Sequence, residues 1–277
     1  MRSFLEIYDL ASGETRLVLA TDRLIEAPNW HRDGWLLVNA DGRLFRVPLA
    51  SPDLHLLESG PARRCNNDHG FSPDGTQIIL SSHTERGAEI FVMPVAGGTP
   101  LPVTHNAPSW WHGWSPDGAR IVYAAARGGR IVDIWSCPAG GGEERRLTFG
   151  EGHSDGPDYS ADGAWIYYNC DRSGHAQIWR MRPGGTGHEQ VFADGFVNWF
   201  PHPSPDGRHV LYLAYPAGTE GHPRDRQVAL VLMEPDGGNR RRVAAFNGGQ
   251  GSINVPCWAP DGSAFAFVRY GGQTASA

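Results

Sequence analysis

Short apolar segments recur along the chain, and most of them follow a tetrapeptide that favours a tight turn. The tetrapeptides read HRDG, SPDG, SPDG, SADG, SPDG and APDG, in that order. Proline presets φ for such a turn, and an Asp-Gly pair supports a hairpin. The turns are regularly spaced: their aspartates are Asp33, Asp74, Asp117, Asp162, Asp206 and Asp261, which lie 41, 43, 45, 44 and 55 residues apart. Repeats of this length are typical of β-propeller blades.

Each central repeat contains enough chain for four strands. In the repeat of Asp74, an aromatic residue precedes the turn and an apolar run, residues 76–82, follows it. A second apolar run at 89–95, a glycine-rich turn and a weaker segment at 100–104 complete the unit. No stretch keeps a helical period long enough to compete with this pattern. The sequence therefore predicts an all-β fold, a six-bladed propeller of four-stranded antiparallel blades.

The two ends of the chain each carry an incomplete repeat. Residues 3–20 resemble the two outer strands of a blade, whereas residues 253–270 supply the inner ones. We therefore expect the terminal strands to pair in one blade, which removes the open sheet edge that otherwise favours aggregation. On this interpretation residues 1–277 form a single propeller domain.

Composition narrows the expected partners and location. The 277 residues carry a net charge of -6 and no basic stripe, so nucleic acid is not an expected partner. No apolar run is long enough to span a membrane, and the first residues lack the apolar core of a secretion signal. The four cysteines are scattered and form no paired metal-binding motif. These features predict a cytoplasmic protein with reduced thiols.

Several motifs resemble the TolB-type β-propeller family over nearly the whole chain. They are the SPDG turns, the strand Ile178-Trp179-Arg180-Met181 and the turns of PGG and PDGG type. The resemblance implies a six-bladed propeller and, because TolB binds envelope proteins, a protein partner. A more distant similarity links the chain to the oligogalacturonate lyases, which are cytoplasmic propellers with SPDG-like turns. Those enzymes hold a divalent metal with histidines at the channel mouth, which implies a similar site here.

Polar and aromatic residues are concentrated in the loops that lead into the first strand of four blades. These loops share one face of a propeller with the loops that join the second and third strands. Residues on this face can meet beside the central channel, where a concave site for a ligand is available. The candidates from these loops are Asn67, Asp68, His69, Trp110, Trp111, His112, His153, Asp155, Asn198, Trp199 and His202.

The histidines indicate a divalent metal ion. His69 and His112 each lie three residues before a turn serine, so the symmetry of the blades predicts equal heights on adjacent blades. Imidazole nitrogens suit zinc and similar ions, and carboxylates suit manganese. We therefore expect a manganese or zinc ion whose ligands come from His69, His112, His153, His202 and Asp68.

The same face has residues suited to acid–base chemistry on a sugar. The candidate catalytic residues are His153, His202 and Asp155, because histidine exchanges protons near neutral pH. Indole faces suit a sugar ring and an arginine suits an acidic group, so the candidate substrate contacts are Asn67, Trp110, Trp111, Arg172, Asn198 and Trp199. A long polar loop at residues 215–226 is either a lid or a tolerated surface insertion.

Two classes of function are compatible with these residues. The first is a metal-dependent lyase or a related enzyme that acts on a sugar or a uronate. The alternative is a non-catalytic propeller that binds a protein or a small molecule at the channel mouth. A loop histidine often only meets solvent or caps a backbone group, so each residue taken alone has a structural explanation. The turn aspartates are expected to be structural, and no motif of a serine hydrolase or a nucleotide-binding enzyme is present.

Overall fold

The computed structural model describes residues 1–271, in which 23 strands form six antiparallel sheets. The sheets are the blades of a propeller, because the innermost strands of successive blades contact one another around a central channel. The predicted all-β, six-bladed architecture is therefore confirmed. No helix long and apolar enough to cross a membrane occurs in residues 1–271.

Most blades are continuous in sequence and run from the channel outward. The chain starts with β1 (Arg2–Asp9) and β2 (Thr15–Thr21). Blade 1 contains β3 (Glu26–His31), β4 (Trp35–Ala40), β5 (Arg43–Pro48) and β6 (His55–Leu57). Blade 2 contains β7 (Cys65–Phe71), β8 (Gln77–Thr84), β9 (Gly87–Pro94) and β10 (Leu101–Pro102). Blade 3 contains β11 (Ser109–Trp114), β12 (Arg120–Ala126), β13 (Val132–Pro138) and β14 (Arg145–Arg146).

The remaining strands complete the ring. Blade 4 contains β15 (Ser154–Tyr159), β16 (Ile166–Cys170), β17 (Gln177–Arg182) and β18 (Thr186–Gln190). Blade 5 contains β19 (Val197–Pro203), β20 (Val210–Tyr215), β21 (Arg226–Met233) and β22 (Arg241–Gly248). Blade 6 is built from β23 (Ala264–Gly271) together with β1 and β2.

The recurring turn is held by its own serine and aspartate. Ser72 Oγ donates to Asp74 Oδ1 at 2.6 Å, and the same oxygen accepts the N–H of Thr76 at 3.0 Å. Gly75 adopts a φ of 71°, in the left-handed region that favours glycine. These hydrogen bonds lower the pKa of Asp74 to about 2. The serine–aspartate contact recurs at Asp117, Asp162 and Asp206, which fits the structural role expected for the turn aspartates.

Blade 6 joins the two ends of the chain, as the sequence predicts. Strand β1 pairs with β23 over eight consecutive residue pairs without a register shift, and β2 lies on its outer side. The innermost position is taken by the segment before β23. There Trp258 bridges Phe265, and the N–H of Ala266 donates to the carbonyl of Cys257 at 2.9 Å. Blade 6 therefore has three regular strands and a short inner segment that is held to β23 by an isolated bridge.

The hydrophobic core lies between neighbouring blades. In one buried cluster, Val122 and Ile134 of blade 3 pack with Tyr168 and Met181 of blade 4. Because both faces of a blade are covered by its neighbours, whole strands such as β4, β16 and β20 are buried along their length. The packed ring therefore provides a rigid support for the loops at its two ends.

Leu5 and Leu17 test the closure of blade 6. Leu5 on β1 is fully buried, whereas Leu17 on β2 is 54% exposed. We expect Leu5→Ala to lower the free energy of unfolding by about 2–4 kcal/mol, since it removes buried methyl groups and leaves a cavity. Leu17→Ala should cost less than about 0.5 kcal/mol. Urea unfolding followed by tryptophan fluorescence measures both, and equal losses would contradict the closure.

Candidate functional site

A repeated irregularity in the innermost strands sets the direction of the side chains at the channel. In each of the first five blades the pairing of the first two strands shifts register once. Such a bulge leaves residues unpaired and re-aims the side chains around it. In blade 4, Asp155 before the bulge lines a cavity at one end of the channel, and Asp158 after it lines a cavity at the other end.

Gly156 makes the bulge of blade 4 possible. Its φ is 59°, and an added Cβ would lie only 2.8 Å from Asn169 Oδ1 and 3.0 Å from Cδ1 of Phe200. The N–H of Gly156 donates to Asp155 Oδ1 at 2.8 Å, so the bulge also orients that carboxylate.

The cavity beside Asp155 has a volume of about 340 Å³. We call it the axial cavity. Its walls come from several blades and include the first residues of β7, β11 and β15, so most of these candidates lie in the innermost strands and not in the loops where the sequence predicts them. The lining residues are Asn66, Asn67, Asp68, His83, Trp110, His112, Val132, His153, Asp155, His222, Gln250 and Asn254.

Three imidazoles converge on the carboxylate of Asp155. Nε2 of His112 lies 3.1 Å from Asp155 Oδ1. Nε2 of His153 and Nε2 of His222 each lie 3.8 Å from Asp155 Oδ2. Asp155 is 9% exposed as a whole residue, so its charge is largely removed from water and needs these partners.

Asp155 and the histidines around it shift one another's pKa values. Burial opposes the protonation of His112 and His153, but the nearby carboxylate of Asp155 outweighs it and raises the pKa of both. Burial also favours the neutral form of Asp155, yet the nearby imidazoles of His112 and His153 hold its pKa well below the usual value. Nδ1 of His112 faces the carbonyl of Asn254 at 3.3 Å, so both ring nitrogens have acceptors and the imidazolium form is favoured.

Asp68 is a second carboxylate in the cavity. Its Oδ1 lies 4.0 Å from Nε2 of His112 and accepts a hydrogen bond from Asn254 Nδ2 at 2.6 Å. Burial raises the pKa of Asp68 to about 6, and the negative charge of Asp155 adds to the rise. Asp68 therefore takes up a proton close to neutral pH, whereas Asp155 stays ionised.

His222 reaches the cavity from the long loop between β20 and β21. Its ring packs edge-on against Trp199 and Phe200, with centroid distances of 4.5 Å and 5.2 Å. Burial lowers the pKa of His222, although the charge of Asp155 opposes the shift. Farther along the loop, Arg224 Nη1 lies 3.2 Å from Glu26 Oε1 in blade 1, so the loop crosses from blade 5 to blade 1.

The structure brings six of the predicted site residues to the axial cavity. They are Asn67, Asp68, Trp110, His112, His153 and Asp155. The ring of Trp199 packs against the rings of His153 and His222 from outside the cavity. The roles assigned to these residues stay predictions, but their meeting at one place agrees with the expected convergence of the loops.

His69 does not join them, because the bulges of blades 2 and 3 differ. His69 follows its bulge and pairs with Leu80, whereas His112 is itself the unpaired residue, between Trp111 and Gly113. Although His69 and His112 lie at the same distance from their turns in the sequence, their side chains therefore do not point to the same place. The ring of His69 is fully buried, with Nδ1 2.7 Å from Asn29 Oδ1, and burial lowers its pKa to about 3.

His202 is also separated from the cavity. Its Nδ1 lies 3.0 Å from Asp158 Oδ2 and its Nε2 lies 2.7 Å from the carbonyl of Ile253. Both ring nitrogens are therefore occupied, and the residue is fully buried. His69 and His202 therefore do not meet His112 and His153 at the axial cavity, so the expected group of four imidazoles is not formed.

Three predicted substrate contacts also lie elsewhere. Trp111 is buried in the core, and a Cβ added to Gly70 would meet its ring at 2.3 Å. Arg172 stacks on Trp179 at 3.7 Å and pairs with Glu151. Asn198 is fully buried and donates to Asp194 Oδ1 at 3.0 Å.

Sequence reasoning missed several lining residues, above all His222. Its loop could be identified as long and polar, but not the path that carries one of its side chains to Asp155. Asn66, Gln250 and Asn254 were given no role, because amide side chains are common in such segments and no repeat position distinguishes these three. In residues 1–271, no group of three His, Cys, Asp or Glu side chains already has the spacing of a bound metal ion.

A larger cavity of about 620 Å³ lies at the opposite end of the channel. Aromatic and proline residues at and beside the recurring turns form much of its wall, including Trp30, Phe71, Trp114, Tyr159 and Trp258. The aromatic residues that precede five of the six turns therefore line this end of the channel, and Pro203 takes the corresponding position in blade 5.

Comparison with known proteins identifies relatives of the whole chain. An uncharacterized protein of Agrobacterium fabrum is 47% identical over 273 residues, which cover 98% of this chain and 93% of that protein. A solved structure from Agrobacterium tumefaciens that carries the name TolB is 46% identical, with a TM-score of 0.96, and covers 98% of this chain and 99% of that one.

More distant matches concern the fold. The Tol-Pal system protein TolB of Bordetella pertussis is 26% identical over 268 residues, covering 81% of this chain and 56% of that protein. An oligogalacturonate lyase in complex with manganese is 15% identical, with a TM-score of 0.60, and covers 94% of this chain and 76% of that one. The pattern of the TolB beta propeller domain matches residues 106–229. Together with the 47% identical relative, these findings show that the chain belongs to the TolB-like family of six-bladed β-propellers.

Proposed function

We propose that this chain is a carbohydrate-active enzyme of the lyase type whose active site is the axial cavity. The single observation that carries the proposal is the convergence of His112, His153 and His222 on Asp155. Hydrophobic packing does not explain three imidazoles around one buried carboxylate. Burying ionisable groups costs free energy, and clusters of such groups are concentrated at functional sites. All four cysteines are buried free thiols, which supports a cytoplasmic location as part of the same proposal.

The polar lining suits a sugar ring. Asn66, Asn67, Asn254 and Gln250 present amides that both donate and accept hydrogen bonds, as sugar hydroxyls require. Trp110 adds a half-buried indole face against which the apolar face of a sugar can pack. A volume of about 340 Å³ leaves room for a ligand of the size of a small sugar, at the lower end of typical ligand sites.

Two histidines of the cavity have the pKa shifts needed for an elimination. His222, with its lowered pKa, is neutral near neutral pH and would accept the proton next to the carboxylate of a uronate. His153, whose pKa is raised, holds its proton more firmly than His222 and would donate it to the oxygen that leaves as the C–O bond breaks. The proton lost from carbon and the proton gained by the leaving oxygen balance, and an unsaturated sugar results.

Other side chains of the cavity are of the chemical types that bind a divalent cation. Asp68, His112 and Asp155 offer two carboxylates and an imidazole nitrogen, a combination that suits manganese and also zinc. When bound, a cation of this kind polarises a carboxylate and acidifies the neighbouring C–H. The distant oligogalacturonate lyase of similar fold is a manganese complex, which supports the choice of metal and substrate class.

A non-catalytic role is favoured by the opposite end of the channel. The cavity of about 620 Å³ there is rigid, aromatic and rich in proline, which suits an extended peptide. One relative of this chain is the Tol-Pal system protein TolB. A protein-binding propeller is therefore the second candidate function, and it makes no demand on the axial cavity.

Cation binding separates the two candidates. We expect manganese or zinc to raise the melting temperature of untagged protein, because a ligand that binds only the folded state stabilises it. His112→Gln should abolish the shift, and the control variant His55→Gln, at an exposed position of β6, should retain it. The pKa of His112 is raised, so its proton competes with the cation, and the shift should be larger at about pH 8 than at about pH 6.

Elemental analysis of the same samples provides the second measurement. Bound metal in the parent protein and in His55→Gln, but not in His112→Gln, would agree with the proposal. No metal and no shift in the parent protein would count against the enzyme and leave the binding propeller as the better account.

The proton acceptor can be tested directly with oligogalacturonate. We expect the parent protein to release an unsaturated product, measured by its ultraviolet absorbance. His222→Asn keeps a similar volume but removes the base, so kcat should fall roughly a hundredfold to ten-thousandfold while KM changes little. Glu220→Gln, an exposed position in the same loop, is the matched control. Full activity of His222→Asn would refute the assignment, and an inactive parent protein would refute the substrate class.

A further inference from the structure

In blades 3 and 4, an arginine and a tryptophan cover the face of the sheet that points towards the preceding blade. Arg127 lies over the ring of Trp135 at 5.3 Å and donates to Ser109 Oγ at 2.7 Å. Arg172 stacks on Trp179 at 3.7 Å and donates to the hydroxyl of Tyr168 at 2.9 Å. In both blades the arginine follows the second strand, and the tryptophan belongs to the third strand.

Blade 5 lacks this pair. Arg127 and Arg172 each lie ten residues after the turn aspartate, and the residue at that distance in blade 5 is Pro216. The tryptophans pair across the sheet with a tyrosine of the second strand, and the corresponding tyrosine, Tyr212, pairs with Val231. A planar cation and an indole are thus replaced by a proline ring and a valine.

A second polar contact is missing from the same face. Asp133 Oδ1 accepts the N–H of Gly150 at 2.9 Å in blade 3, and Gln177 Oε1 accepts the N–H of Asp194 at 3.2 Å in blade 4. The equivalent residue of blade 5 is Ala229. It pairs with Ala214 on one side and Ala245 on the other, so three methyl groups form one row across the sheet.

These replacements leave a cavity of about 540 Å³ between blade 5 and the connection from blade 4. We call it the blade-5 cavity. Tyr212, Pro216 and Val231 contribute to its largely apolar wall, together with the alanine row. Phe196 also lines it and is 56% exposed, so part of the apolar wall is open to solvent. The cavity shares no lining residue with the axial cavity.

The blade-5 cavity is lined by two arginines and by one carboxylate, that of Asp194, which accepts hydrogen bonds from the N–H of Phe196 and from Asn198 Nδ2. Arg242 pairs across the sheet with Val231 and lines the cavity. Among residues 1–271 it has no ion-pair partner. Arg240, also at the rim, lies over Phe192 at 4.4 Å and donates to the carbonyl of Gly237 at 2.8 Å. An apolar hollow with one unpaired guanidinium at its edge is complementary to an apolar acid.

We propose that the blade-5 cavity binds a small carboxylic acid with an aromatic or branched apolar body. The body occupies the space that the arginine and tryptophan fill in blades 3 and 4, and packs on the alanine row, Val231 and Phe196. The carboxylate pairs with Arg242. The proposal is independent of the function assigned to the axial cavity, because the two cavities are built from different residues.

Binding of 4-phenylbutyrate tests the proposal. We expect a dissociation constant of roughly millimolar, as for a ligand of this size in a preformed site, measured by calorimetry and ligand-detected NMR. Val231→Trp restores the residue type of blades 3 and 4 and should abolish binding by filling the cavity. Arg242→Gln should weaken binding about tenfold through loss of the charged contact. The uncharged 4-phenylbutanol should bind the parent protein more weakly than the acid and be insensitive to Arg242→Gln.

Arg241→Gln is the matched control, since Arg241 precedes Arg242 on β22, is exposed and does not line the cavity. It should bind 4-phenylbutyrate as the parent protein does. Circular dichroism and the melting temperature establish that each variant is folded, and a Val231→Trp chain that fails to fold is replaced by Ala229→Leu, which fills the same space. Absence of binding by the parent protein, or unchanged binding by both the cavity-filling variant and Arg242→Gln, overturns the proposal.

Discussion

The pairing of β1 with β23 is the constraint on which the rest of the structure depends. It joins the ends of the chain in one blade, and a closed ring fixes the distance of every innermost strand from the axis. Asp155 belongs to blade 4, His112 to blade 3 and His222 to the loop after the second strand of blade 5. These residues can meet at one carboxylate only because the blades that carry them are held at fixed angles around the channel.

Electrostatics then determines what the assembled residues can do. A buried carboxylate is stable only when positive or hydrogen-bonding partners surround it, and Asp155 satisfies this need with the two histidines that it keeps protonated. The same site contains Asp68 with a raised pKa and His222 with a lowered one. Proton donors and acceptors that differ in this way, side by side in one cavity, are the arrangement that general acid–base catalysis requires.

The fold and half of the site could be predicted from the sequence, and the physical reasons for the other half are specific. The turn spacing and the incomplete terminal repeats determine the number of blades and the closure. Loop position correctly placed His112 and Asp155 at one end of the channel. His69 was misplaced because register shifts inside a strand are not visible in turn spacing. His222 was missed because its position depends on packing against Trp199 and on an ion pair with blade 1, both long-range contacts.

The repeats are also informative where they diverge. Blade 5 has lost the arginine–tryptophan pair of its neighbours and has gained the loop that carries His222. The blade-5 cavity and the loop that brings His222 to the axial cavity therefore belong to the same repeat. The departures from symmetry, more than the symmetric scaffold, are what give the molecule distinct sites.

The most direct test of the account is an NMR titration of the histidine rings in the parent protein and in Asp155→Asn. We expect His112 to titrate above the ordinary histidine value in the parent protein, since the Asp155 carboxylate holds its proton. In Asp155→Asn only the charge of Asp68 and the carbonyl of Asn254 still oppose the burial of the ring, so the pKa of His112 should fall. A pKa of His112 that is the same in both proteins would contradict the claim that Asp155 organises the site.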